Sequence, residues 1–239
     1  MTLYRDKGVV LRSYKLGESD RIVVLMTEQH GKVRAVAKGI RKTKSKIGAR
    51  LEPMSHVEVQ LYKGRELDTV SQVELIDSSA RLHNNLDKLT QGMSMLEAVD
   101  QIAEDREPSP HLYRMLHGAL NALMEQESPV MLAAFYWKLL AAEGVSPQVQ
   151  ACVGCAAKDD LVAFDIFHGG VQCRTCRTGI SISQPAVDLL QQVLGGQLNV
   201  ALAQPESPAS FEISQLATQA MEHHIERRLR SVAMFSPRH

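Results

Sequence analysis

The sequence predicts an α+β protein, with a five-stranded OB-fold β-barrel in front, a helical domain behind it and a four-cysteine module inserted among the helices. Three observations lead there. Short runs of alternating apolar and polar residues fill residues 3–76, apolar residues at spacings of three or four take over after residue 80, and two Cys-x2-Cys pairs interrupt that helical pattern.

Five runs read as strands: Gly8 to Leu11, Arg21 to Met26, Lys32 to Lys38, His56 to Tyr62 and Leu67 to Ile76. In the third, Val33, Ala35 and Ala37 alternate with Lys32, Arg34, Val36 and Lys38, so period-two geometry sends three cations to one face and leaves the other for a core. In the fourth, Val57, Val59 and Leu61 face one way and His56, Glu58, Gln60 and Tyr62 the other. Five such strands in ~80 residues suit an OB-fold; an SH3-like barrel has similar counts, and pattern alone leaves that choice open. Residues 39–50 hold glycines and cations without an acidic residue and read as a mobile basic loop.

Leu86, Leu89, Met93, Leu96, Val99 and Ile102 then recur at helical spacing until Pro108 and Pro110 intervene. Leu112 to Glu125 and the strongly apolar Val130 to Ala142 follow, the latter suited to the inside of a bundle. Ala186 to Leu194 and a long final segment from Leu216 to Val232 supply two further amphipathic helices. The expected domains are residues 1–80 for the barrel, 81–150 and 181–239 for the helical parts, and 151–180 for the cysteine module. There is no fixed repeat and no low-complexity tract.

Charge is divided unevenly. The whole chain is formally neutral, yet residues 1–80 carry 15 Lys and Arg against 10 Asp and Glu, and the remainder 12 against 17. A basic front on a neutral chain points to contact with nucleic acid or a membrane. Lys32, Arg34, Lys38, Arg41, Lys42, Lys44, Lys46 and Arg50 fall within 19 residues free of acid, the footprint of a phosphate-binding surface. Only Tyr4, Tyr14 and Tyr62 could stack on bases there, so binding through phosphates, weakly selective and salt-sensitive, is expected.

Cys152, Cys155, Cys173 and Cys176 form two knuckles separated by 17 residues, which lets four thiolates surround one Zn²⁺. Thiolates in all four positions leave none for water, so the metal is expected to be structural. His168, between the knuckles, reads as a turn residue and His223-His224 as surface. His56-Val57-Glu58 resembles part of a zinc deaminase signature, but no proline precedes Cys152 and the second pair would have no purpose. No phosphate-cradling glycine motif or nucleophile elbow is present, and no enzyme is expected. The first residues lack a signal-peptide layout and no apolar run approaches ~18 residues, so a cytoplasmic protein is expected.

The run Gly17-Glu18-Ser19-Asp20-Arg21-Ile22-Val23-Val24-Leu25-Met26-Thr27-Glu28, followed by His30-Gly31-Lys32-Val33-Arg34-Ala35-Val36-Ala37-Lys38-Gly39-Ile40-Arg41-Lys42 and Ser45, resembles the RecO family of DNA recombination mediators. That resemblance extends over the whole chain. It implies an OB-fold that binds single- and double-stranded DNA and anneals complementary strands. It also implies partnership with RecR, with the acidic tail of single-stranded DNA-binding protein and, indirectly, with RecA, in a bacterial, nucleoid-associated setting. A general RNA- or tRNA-binding module and a zinc-ribbon assembly factor are the competing readings.

Overall fold

The structure is a computed structural model that describes residues 2–39, 46–78 and 80–231, with only the backbone at Lys46. It divides into two compact units, one comprising the chain up to Glu125 together with the segment from Leu229, the other residues 126–228.

In the first unit β1 (Leu3–Leu16), β2 (Asp20–Thr27), β3 (Gly31–Ala37), β4 (His56–Tyr62) and β5 (Asp68–Asp77) form a closed barrel in the order β1-β2-β3-β5-β4. All neighbours are antiparallel except β3 and β5, which run parallel where Ala35 faces Asp68 and Val36 faces Thr69. That order and the parallel closure make it OB-like. Val10, Val23, Leu25, Val33, Val57 and Val59 lie at its centre, each almost wholly removed from water. A register shift in β1 between Val10 and Arg12 lets one strand pair first with β4 and then with β2.

β1 starts at Leu3, ahead of the predicted Gly8. Residues 3–7 pair with β4, from Leu3 opposite Tyr62 to Lys7 opposite Glu58, but bury only Asp6, so they carry no apolar signal. The Asp6 carboxylate accepts from the amides of Gln29 and His30, each at 3.1 Å, and meets His30 Nδ1 at 2.6 Å, which ties β1 to the β2–β3 turn. The segment predicted as loop also departs from expectation, for Lys46–Arg50 forms the single-turn α1. Ile47 and the fully buried Leu51 pack against the barrel core from this turn. Hydrophobic anchoring replaces intrinsic helix stability, which five residues do not possess.

α2 (Ala80–His83), α3 (Leu86–Ile102) and α4 (Pro110–Glu125) complete this unit. Asn85 caps α3, its side chain accepting from Lys88 N at 3.1 Å. Between α3 and α4 the chain lies against the start of β3, where Arg106 N donates to Lys32 O at 2.9 Å. Arg106 Nη2 also reaches the fully buried Asp68 carboxylate at 2.9 Å, which accepts the Tyr4 hydroxyl as well. Helix α4 covers His56, so this member of the strand's polar face is buried.

The returning segment is held by Glu97 on α3, which accepts from Arg230 N at 2.9 Å, Ser231 N at 2.8 Å and Ser231 Oγ at 2.5 Å. Burial pushes the Glu97 carboxyl up, but the Ser231 and Arg230 hydrogen bonds outweigh it and hold it below its usual range. A depressed folded-state pKa contributes stability above the unfolded value of 4.5 that is lost as pH falls through the folded value. Glu97→Gln is expected to lower stability by about 1–2 kcal/mol at neutral pH. Chemical denaturation should show the gap from the native protein closing under acid; a gap unchanged by pH would refute an ionised Glu97 as the tie.

In the second unit α5 (Met131–Ala142) is buried on most sides and packs against α6 (Gln184–Leu194) and α8 (Pro208–His224), with the short α7 (Leu198–Leu202) between them in sequence. β6 (Leu161–Asp165), β7 (Gly170–Cys173) and β8 (Ile180–Ser181) form a three-stranded sheet in the order β7-β6-β8. Trp137 of α5 meets Phe164 of β6 with ring centroids 5.5 Å apart. Ser207 caps α8 through a reciprocal capping box with Ser210. The helix stops at His224, short of the predicted Val232, because Glu226 turns into the left-handed region at φ 52° and the chain then joins the first unit. Val232 lies outside the described residues. Among the described residues no helix is long and apolar enough to cross a membrane.

Candidate nucleic-acid interface and metal centre

The outward face of β3 does not present its cations equally. Arg34 and Lys38 are exposed. Lys32 is only 14% exposed: its Nζ donates to Asp100 O at 2.7 Å and lies 3.8 Å from Asp100 Oδ1 and 3.5 Å from Asp105 Oδ1. Its charge is thus matched by two carboxylates and fastens the α3–α4 connection to the barrel. Arg50, half-buried, donates from Nη1 to Val73 O at 2.7 Å and steadies α1 on β5. Arg41, Lys42 and Lys44 lie outside the described residues, as does the side chain of Lys46.

Strand register adds Arg12, a cation that the local pattern does not single out, and gives Tyr14 its neighbours. Arg12 and Arg34 both stand opposite Val24, one on β1 and the other on β3. Tyr14, two residues along from Arg12 and so on the same face, accepts from Arg34 Nη2 at 2.9 Å, and the Arg12 guanidinium lies 5.5 Å from the Tyr14 ring centroid. Arg12 is also paired with Asp100 at 2.6 Å yet keeps half of its side chain exposed. Arg12, Tyr14 and Arg34 therefore form a basic patch with one aromatic ring, and the exposed Lys38 follows at period-two spacing from Arg34. The period-two spacing of Arg12 and Tyr14 is visible in the sequence, but their adjacency to Arg34 follows only from barrel register.

The four cysteine sulfurs converge in the second unit. Their Sγ atoms all lie within 4.8 Å of one another, with Cys155 and Cys173 at 3.6 Å. A tetrahedral site with Zn–S bonds of ~2.3 Å has S–S edges of about 3.8 Å, so the donor set fits the ion. Gly154 N points at Cys152 Sγ from 3.4 Å, and a Cβ on Gly154 would press on Cys176 Sγ at 3.2 Å, which explains a glycine inside the first knuckle. Backbone amides, Cys173's foremost, hold Cys152 down to about 6, while hydrogen bonds to the sulfurs of Cys155, Cys173 and Cys152 push Cys176 up to about 12. A divalent ion at the centre would stabilise all four as thiolates. His168 turns its Nδ1 to Asp165 Oδ2 at 2.8 Å, and His223 is exposed.

The recombination protein O N-terminal family model matches residues 1–79, and the recombination protein O C-terminal model matches residues 83–233. The chain belongs to the recombination protein O family. Its N-terminal match ends just past β5 and so takes in the whole barrel, basic patch included; the C-terminal match contains all four cysteines. Membership in this family places the protein in DNA recombination and repair.

Proposed function

We propose that this protein is a recombination mediator that holds DNA by its phosphates on the barrel, anneals complementary strands and, with RecR, helps load RecA onto DNA coated by single-stranded DNA-binding protein, whose acidic tail it also engages. The observation that carries the reading is the patch of Arg12, Tyr14 and Arg34, followed along β3 by the exposed Lys38 and then by an acid-free segment, in a chain of the recombination protein O family. Phosphate contact is assigned to Arg34, Lys38, Arg41, Lys42, Lys44, Lys46 and Arg50. Lys32, already matched by Asp100 and Asp105, serves instead to fasten the face to the helices.

A surface rich in cations and poor in aromatic rings suits annealing. It lowers the repulsion between two phosphate backbones while leaving base edges free to pair. The zinc held by Cys152, Cys155, Cys173 and Cys176 would supply fold stability and no reacting group. Six to ten phosphate contacts imply a loss of roughly 10³ to 10⁵ in affinity between 50 and 200 mM salt. The test is binding and annealing of complementary strands across a salt series, with the same sequence as RNA alongside. Lys42→Glu with Lys44→Glu should abolish annealing and flatten the salt dependence for single strands by about 1.4 in log–log slope. Annealing left intact by that double substitution, or a preference for RNA at equal salt, would overturn the reading.

A further inference from the structure

A second set of metal-binding side chains lies in the first unit, apart in sequence from the cysteines. His56 opens β4, Asp77 closes β5 and His117 sits on α4, and their donor atoms lie within 4.8 Å of one another. His56 Nδ1 is 3.5 Å from Asp77 Oδ2, and the same oxygen is 3.9 Å from His117 Nε2. Bonds of ~2.0–2.1 Å to a tetrahedral ion correspond to edges of about 3.3 Å, so closing the set requires only small side-chain adjustments.

We propose that His56, Asp77 and His117 bind a divalent transition-metal ion of the Zn²⁺ class, joining the barrel to α4. Two imidazoles and one carboxylate are the donors that such an ion favours over Mg²⁺ or Ca²⁺, which take oxygen. The surroundings are arranged accordingly. His56 Nε2 lies 2.7 Å from the Tyr113 hydroxyl, which can accept its proton, direct the Nδ1 lone pair toward Asp77 and fix the ring plane. On His117, Nε2 lies 3.2 Å from Asn121 Nδ2, an amide donor, which marks Nε2 as the unprotonated nitrogen; an ion there would take over the lone pair that accepts from Asn121. A lone pair and a carboxylate oxygen meeting at 3.5 Å repel unless a proton or a cation lies between them. Three protein ligands leave a fourth position open, and Asp77 is 53% exposed, which gives an ion a route in from solvent.

The probe is Co²⁺ added to the full chain stripped of metal, followed by absorption and by metal content after gel filtration. Two equivalents are expected to bind, the first with strong thiolate-to-cobalt absorption and the second without it. Asp77→Asn and His117→Ala should each weaken the second equivalent by at least ~10-fold and leave the thiolate bands unchanged. Asp77 is half-exposed at a strand end, so its variant keeps the fold even if His117→Ala does not. A single equivalent in the native chain would overturn the site, as would a second equivalent indifferent to Asp77→Asn.

Discussion

Removing the zinc proposed for the four-cysteine centre is expected to unfold its module and to loosen the second unit. Structural zinc contributes on the order of 10 kcal/mol or more in small zinc-folded peptides, and β6, β7 and β8 are each no longer than five residues. The loss should reach α5, since Phe164 of β6 packs against Trp137. Trp137 is the chain's one tryptophan and is almost wholly buried, so its emission reports on this part of the second unit. Chelation, or Cys176→Ser in metal-free buffer, should shift that emission to the red and lower the unfolding midpoint of the second unit. Unchanged emission from protein shown to be metal-free would mean that packing, not the ion, holds the module.

Gly31→Ala is expected to cost about 3–5 kcal/mol, the sum of left-handed backbone strain and a steric conflict that cannot relax cheaply. Gly31 has φ +66°, and an added Cβ would stand 1.9 Å from Glu107 O and 2.5 Å from Glu107 C, both backbone atoms. That conflict falls where the α3–α4 connection meets β3, beside the bridge between Lys32 and Asp105. Gly17 provides the comparison, with φ +59° and nothing within 4 Å of its added Cβ, so Gly17→Ala should carry only the backbone strain of ~1–2 kcal/mol. Urea denaturation followed by circular dichroism separates the two. Equal losses would show that the Glu107 backbone yields and that its approach to β3 does not constrain the fold.

Elements whose signal is local are legible in the sequence. β3 and β4 alternate because one face of each enters the barrel core, and that constraint is written every second residue. The cysteine knuckles are equally plain, because each pair closes within one turn of chain. Elements stabilised from a distance are not legible. α1 is too short to show a period and exists because Ile47 and Leu51 find the barrel core. Residues 3–7 gain their strand from β4, far along the chain, without an apolar pattern of their own. The final helix reads too long because Leu229 is apolar at a plausible spacing, although that residue belongs with the first unit.

The five-stranded front, the helical rear, the four cysteines that cluster and the stretch of chain where cations gather were all legible in the sequence, because composition and short-range periodicity record which groups must leave water or repel one another. Only the tertiary structure decided which of those cations face solvent. Lys32 and Arg34 share one strand face and look alike in the sequence. The first is matched by Asp100 and Asp105, which arrive from more than 60 residues away, and the second stays exposed beside Tyr14 and Arg12. The meeting of His56, Asp77 and His117 was equally invisible, since a pairwise distance is a property of the closed fold and no local pattern encodes it.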